Sequence, residues 1–167
     1  MIVKVLTGCL LVIYQLLAAK ANAQESRWLL GTGITYCSYI DSPGLNLNVT
    51  YRVVGNLHIG PDFSALLTRE VLENGKTVKK KELEYNFNAS YLFEVKKSIS
   101  LYPLLGINLS EITLHPEGEE ANKRLVTALN IGGGIEYQLK KFRLFFEPKY
   151  VTELNKLDIA TGILFEL

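Results

Sequence analysis

The chain has 167 residues, of which 48% are hydrophobic, with 18 Lys and Arg against 17 Asp and Glu. A formal net charge of +1 offers no electrostatic footprint for nucleic acid, which is excluded as a partner class.

The N-terminus has three parts. Met1 to Val5 carries one positive charge, Lys4; Leu6 to Ala19 is almost wholly apolar; Ala21-Asn22-Ala23 then precedes Gln24. That order is the charged region, apolar region and small-residue cleavage site of a secretory signal peptide, predicted over 1–23 with the mature domain over 24–167. The apolar run is too short for a comfortable membrane span. Leu6-Thr7-Gly8-Cys9 resembles a lipobox, but most of the apolar region follows Cys9, so lipoprotein processing is the weaker reading. Cleavage after Ala23 would leave 144 of the 167 residues, with 16 basic and 17 acidic side chains and Cys37 as the one thiol. With no internal disulfide available, such a secreted chain must be stabilised in another way. Closure of a barrel within a membrane is one.

No segment after Gln24 sustains the spacing of an amphipathic helix. Alternation with period two recurs instead, placing apolar side chains on one face of a strand. Trp28 to Ser38 shows it loosely. Leu45, Leu47, Val49, Tyr51 and Val53 then alternate with Asn46, Asn48, Thr50 and Arg52, and Leu57 to Leu67 follows less cleanly. Leu83, Tyr85, Phe87, Ala89, Tyr91 and Phe93 alternate with Glu84, Asn86, Asn88, Ser90 and Leu92. The pattern returns at Ile99 to Leu109, Leu129 to Leu139, Phe142 to Tyr150 and Ile159 to Leu167. Eight strands in one domain are predicted, with no linker and no sequence repeat.

Alternation is symmetric under inversion, so it fits a soluble barrel that is apolar inside as well as a membrane barrel that is apolar outside. Three features favour the membrane. Tyr51, Tyr91, Phe93, Tyr137 and Phe142 lie on the apolar face beside tight turns, and Tyr36, Tyr85 and Tyr150 lie near the opposite strand ends, as two interfacial bands would. Short breaks at Val54-Gly55-Asn56, Lys96-Lys97-Ser98 and Lys140-Lys141 alternate with connections that include the longer, charged loops Glu70 to Lys81 and Leu114 to Lys123. Parity agrees, because turns at these breaks pair Leu139 with Phe142 and Val95 with Ile99, keeping the apolar sets on one face. Finally, alternation runs to Leu167, a strand edge that a closed barrel would pair with its first strand.

These patterns, with the terminal Ile163-x-Phe165-x-Leu167, resemble small outer-membrane β-barrel proteins of the OmpA/OmpX and porin-family type. The resemblance implies an all-β, eight-stranded antiparallel up-and-down transmembrane barrel in the outer membrane of a Gram-negative-type bacterium. It also implies contact with outer-membrane lipid and lipopolysaccharide, recognition of the C-terminal strand by the barrel-assembly machinery, and a monomer. Family members usually end in an aromatic residue; here the last residue is Leu167 and the aromatic is Phe165.

On that architecture the lumen would hold His58 and a structural network of Arg52, Asp62, Glu84, Glu136, Arg143, Glu147 and Lys149, whose buried charges must pair. Glu136 and Glu147 are expected near Arg143 and Lys149 across the hairpin they share. His58 with Ser64 would face the lumen rather than lipid, and His115 sits beside Pro116, so no catalytic set is expected. Cys37 and two distant histidines show no metal-ligand spacing, and no cofactor is expected. Asn48-Val-Thr, Asn88-Ala-Ser and Asn108-Leu-Ser match the glycosylation pattern by chance, lying mid-strand on the polar face. Loop candidates for external contacts are Lys79, Lys80 and Lys81, and Glu117, Glu119 and Glu120. The expected role is a non-enzymatic envelope or surface-interaction barrel, with a narrow porin or transport accessory and a soluble lipocalin-like carrier as alternatives.

Overall fold

A computed structural model describes residues 27–73 and 76–167; the predicted signal peptide lies outside the described residues. The described strands are β1 (Trp28–Cys37), β2 (Ser42–Val54), β3 (Leu57–Leu66), β4 (Arg69–Glu73), β5 (Lys76–Tyr91), β6 (Phe93–Lys96), β7 (Ile99–Pro116), β8 (Asn122–Gln138), β9 (Phe142–Val151) and β10 (Lys156–Glu166). These ten segments form eight staves, because β4 continues β3 beyond Leu67 and Thr68, and β6 continues β5 beyond Leu92. Each stave pairs antiparallel with the next. The β5–β7 ladder completes the middle of the wall, and β10 returns to β1 from Leu29–Glu166 to Cys37–Asp158. The barrel is closed.

The two faces settle the inversion that alternation leaves open. Ile34, Leu45, Leu47, Phe87, Leu105, Ile107, Leu129 and Ile131 point outward and are more than half exposed. Asn46, Asp62, Ser64, Glu82, Glu84, Asn86, Asn108, Ser110, Asn130, Lys149, Lys156 and Asp158 point inward and are buried. A lipocalin-like carrier would have its apolar set inside; the wall here is built the other way round, so that alternative is excluded. An exposed apolar belt around a polar interior is the wall of a transmembrane barrel.

Trp28 and Tyr51 stack at 4.7 Å, Tyr91 and Phe93 at 4.9 Å and Phe142 and Phe165 at 6.4 Å, forming a ring band at the end with the short turns. Phe63 and Tyr85 pair at 5.2 Å toward the other end, where Tyr36 and Tyr150 also stand. On β1 the bands are Trp28 and Tyr36. That strand length, tilted as barrel strands are, spans roughly 20 Å across the wall.

The short turns occur where the breaks are, with one adjustment. Leu139 donates its N–H to Phe142 at 2.9 Å across Lys140-Lys141. Val95 does not sit opposite Ile99, however. Lys96 does, because a bulge between Glu94 and Lys96 absorbs one residue and shortens the turn to Lys97-Ser98. The segments read as long loops are corrected more substantially. Most of Glu70 to Lys81 and half of Leu114 to Lys123 are strand, in β4, β5, β7 and β8. Their charges hid the pattern, since strands carried above the lipid have no need of an apolar outward face.

Leu105→Arg or Ile107→Arg, mid-height on the outward face of β7, is expected to lower unfolding stability in phospholipid vesicles by about 2–4 kcal/mol. Thr113→Arg, on the same face above the belt, is expected to cost at most about 1 kcal/mol. Urea titration followed by the single Trp28 reads both.

Candidate functional site: a sealed polar lumen and a raised sheet

Residues of one parity on each stave share the interior, and they sort into three tiers. At the short-turn end, Arg143 reaches Glu136 at 3.0 Å and also bonds Glu166. His58 lies there too, lining a cavity of about 260 Å³ with Arg52, Lys97, Gln138 and Arg143. Above it, Phe145, Ala160 and Leu164 form one apolar cluster and Leu92, Tyr102 and Leu104 another, flanking a smaller cavity of about 50 Å³.

The middle tier centres on Asp62, which β3 aims inward between outward-facing Pro61 and Phe63. Its carboxylate accepts from Lys149 Nζ at 2.6 Å, Asn46 at 2.8 Å, Asn86 at 3.4 Å and Asn88 at 3.5 Å. Asn108 and Asn130 donate to Asn86 at 2.8 Å, and Asn130 also donates to Asn88 at 3.0 Å. Ser110 donates to Asn108 at 2.8 Å, so amides from β2, β5, β7 and β8 are knitted into one network around a single ion pair. Tyr102 donates to Glu147 at 2.9 Å, and its ring lies across Gly134 on the neighbouring strand. A Cβ at Gly134 would collide with that ring, which is why glycine stands there.

The upper tier is more acidic. Lys156 Nζ bonds Glu82 at 2.6 Å, bonds Glu84, and stands 3.3 Å from Asp158, all four side chains being essentially unexposed. Cys37 donates to Glu82 at 3.7 Å. Ile40 and Leu66 pack with Cys37 above this tier, and Leu154, Val151, Val78 and Ile112 are buried at the same end. An apolar plug therefore closes the lumen at the end away from the short turns.

Two matching turns supply much of that plug, an internal repeat that the sequence reading missed. Tyr36-Cys37-Ser38-Tyr39-Ile40-Asp41 and Tyr150-Val151-Thr152-Glu153-Leu154-Asn155 each begin with a tyrosine whose hydroxyl donates to the sixth residue, Asp41 or Asn155. Those sixth residues have φ of 50° and 48°. Asp and Asn are among the side chains that tolerate such a left-handed turn. In each, the hydroxyl at the third position accepts a backbone N–H from the adjacent strand: Ser38 from Leu157 at 2.8 Å, Thr152 from Leu129 at 3.1 Å. The fifth residue, Ile40 or Leu154, turns into the lumen. The signal is legible once the two hexapeptides are aligned.

The seven lumen residues singled out from the sequence all lie on inward-facing positions, in different tiers. Arg143 and Glu136 meet across β8 and β9. Lys149 is 3.9 Å from Glu147 but is bonded to Asp62, from the far side of the lumen. Glu84 belongs with Lys156 in the upper tier, and Arg52 lines the lower cavity. Glu82, Lys156, Asp158, Cys37 and the inward asparagines were not singled out as a network. Their polar-face positions were visible, but their partners depend on how the barrel closes. His58 lies near the short turns and His115 at the opposite end, so they cannot act together.

Above the closed wall, β5 and β7 stay paired from Leu83–Glu111 out to Val78–Pro116, beyond the point where β3 stops pairing at Ala65–Leu83. β4 adds to the outer side of β5, and β8 stays paired with β7 as far as Asn122. Four strands thus rise past the rim as a sheet. One of its edges is β4; the other is the start of β8, before pairing with β9 begins at Asn130. Lys79, Lys80 and Lys81 lie on β5 in this sheet, while Glu117, Glu119 and Glu120 form the exposed turn between β7 and β8. Lys79 pairs with Glu70 at 3.1 Å and Lys123 with Glu111 at 3.6 Å. Arg69 reaches Asp41 at 2.7 Å, tying the raised sheet to the first repeated turn.

A closed eight-stave wall with an outward apolar belt, ring bands and a packed polar lumen decides the architecture. The fold is that of small outer-membrane β-barrels. Neisserial surface protein A aligns with a TM-score of 0.67 at 13% identity, over 85% of this chain and 98% of its own. Ail, the attachment invasion locus protein of Yersinia pestis, aligns with a TM-score of 0.58 at 18% identity, over 85% of this chain and all of its own. The N-terminal β-barrel domain of Pseudomonas aeruginosa OprF gives 0.63 at 14% identity, over 85% and 98%. No protein-family model and no curated protein matches the sequence.

Lys149→Met strands the Asp62 carboxylate in the middle tier and is expected to cost about 3–5 kcal/mol of stability. Combining it with Asp62→Asn should restore most of that loss in vesicle unfolding. A double variant as unstable as the single one would show that the ion pair is not the centre of the network.

Proposed function

We propose that the chain is a non-enzymatic outer-membrane surface barrel that makes external contacts through its raised sheet. One observation carries this reading: four strands leave the membrane as an open-edged sheet, while the lumen beneath them is crossed by tiers of paired side chains and plugged at that end. Leu72 and Leu125, 76% and 62% exposed, stand on its outward face near the two free edges. Lys79, Lys81 and Lys123 share that face. Free edges and an amphipathic, cation-bearing surface are means of holding a partner, whereas a packed lumen has no use for such an extension.

Export by the signal peptide over 1–23, placement in the outer membrane, recognition of β10 by the assembly machinery and a monomeric state complete the proposal. The packing of the lumen argues against the narrow-porin alternative, since three tiers of paired side chains and the Ile40–Leu66 plug stand in the path. A sulfated glycan is the partner chemistry to test first. Ail has been crystallised with a heparin analogue, sucrose octasulfate, and the lysines here give a comparable ligand something to bind.

A variant with 69–80 and 113–123 replaced by short turns is expected to keep heat-modifiable gel migration. Cells displaying it should lose the adhesion to immobilised heparin that the full chain confers, and neither protein should give unitary conductance steps in planar bilayers. Conductance by the full chain, or adhesion that survives the trimming, would contradict the proposal.

A further inference from the structure

The upper tier of the lumen is short of positive charge. Glu82, Glu84 and Asp158 bring three carboxylates together around the ammonium of Lys156, and all four side chains are at most 1% exposed. Lys156 takes up one oxygen each of Glu82 and Glu84. The remaining Glu84 oxygen, Oε2, and both oxygens of Asp158 are buried without a hydrogen bond. Asp158 keeps its 3.3 Å approach to Lys156 but accepts no hydrogen from it. Unsatisfied carboxylate oxygens in a sealed interior are costly, and among the plug side chains Cys37 alone carries a donor.

A third kind of donor closes the group. The Cys37 sulfur, Glu84 and Asp158 each offer one atom, all three within 4.8 Å of one another. Bonds of about 2.0 to 2.3 Å to zinc place neighbouring ligand atoms roughly 3.3–3.8 Å apart. Movements of about an ångström would therefore bring these side chains onto one ion. The four ionised groups carry −2, or −3 once Cys37 is a thiolate, and one divalent cation reduces this to −1.

We propose that Cys37, Glu84 and Asp158 bind one divalent, zinc-class cation at the outer end of the lumen. The Cys37 thiol loses its proton to the buffer as the sulfur–metal bond forms, and a carboxylate oxygen from each acid completes the protein ligands. Lys156 keeps its bonds to Glu82 and to the other oxygen of Glu84, holding that carboxylate in place. The ligands come from β1, β5 and β10. The ion therefore bridges the β1–β10 seam, where Cys37 and Asp158 are paired residues, to the opposite wall. Sequence spacing carries no trace of such a site, because only closure of the barrel assembles it.

The test uses the full chain with Cys9→Ser, so that Cys37 is the single thiol, refolded in detergent after chelation and titrated with Co²⁺ and then Zn²⁺. One equivalent of Co²⁺ should give a thiolate charge-transfer band, which Zn²⁺ abolishes. Cys37→Ser should lose the band, and Asp158→Asn should weaken binding by at least about 10-fold, the scale on which even outer-shell changes act. Because Asp158→Asn could also impair folding, a second reading is the urea midpoint, which Zn²⁺ should raise in the parent but not in Cys37→Ser. Absence of the band in a heat-modifiable parent, or its persistence in Cys37→Ser, would overturn the site. Protons on the carboxylates would then be what balances the cluster.

Discussion

Inside a bilayer no water is available to a backbone N–H or C=O, so each strand must pair on both edges. The whole architecture depends on that requirement. It is met by closure of β10 onto β1 along a ladder from Leu29–Glu166 to Cys37–Asp158, and by direct pairing of β5 with β7. Once the wall is closed, each stave has one parity toward lipid and one toward the axis, and the side chains follow. The raised sheet shows the same rule from the other side. Where β4, β5, β7 and β8 pass above the rim they may stop pairing at their edges, because water can solvate what is left, and their outward face turns from Leu83 and Tyr85 to Lys79 and Lys81.

Eight staves leave an interior only as wide as the side chains that fill it. A polar interior of that size cannot be solvated in bulk, so its groups must satisfy one another. In the middle tier the chain does this with amides more than with charges, since an asparagine donates and accepts at once and carries no ionic desolvation cost. Asp62 and Lys149 form the ionic centre, with Asn46, Asn86 and Asn88 spending donors on the same carboxylate. The plug formed by Ile40, Leu66 and Leu154 then separates the network from the raised sheet. Fold and surface are thus divided: the lumen holds the barrel together, and the sheet above it is free to make contacts.

Much of this was legible in the sequence, and the limits have physical causes. Period two placed the staves, the pauses at Gly55 and Lys140-Lys141 placed the turns, and the ring bands gave the outward face. Neighbours on adjacent strands, such as Arg143 and Glu136, could be paired because a two-residue turn fixes their register. Partners across the lumen could not. Which inward residue of β9 faces which inward residue of β3 depends on the stagger accumulated around the ring, so the sequence places Lys149 near Glu136 and Glu147 on its own hairpin rather than near Asp62. The same ignorance hid the group of Cys37, Glu84, Lys156 and Asp158. The raised sheet was missed for a different reason, that strands whose outward face is charged lose the alternation by which strands are recognised.

The central claim is that odd-numbered residues of β7 face lipid and even-numbered ones face a packed polar interior. Nitroxide labels placed singly from Leu101 to Leu109, in a background with Cys9 and Cys37 replaced by serine, test it directly in phospholipid vesicles. Accessibility to oxygen should alternate, high at Leu101, Leu105, Ile107 and Leu109 and low at Tyr102, Leu104 and Asn108, with little access for a water-soluble relaxing agent at either set. High oxygen access at the even positions, or ready access of the aqueous agent to the odd ones, would mean that the apolar face does not meet lipid.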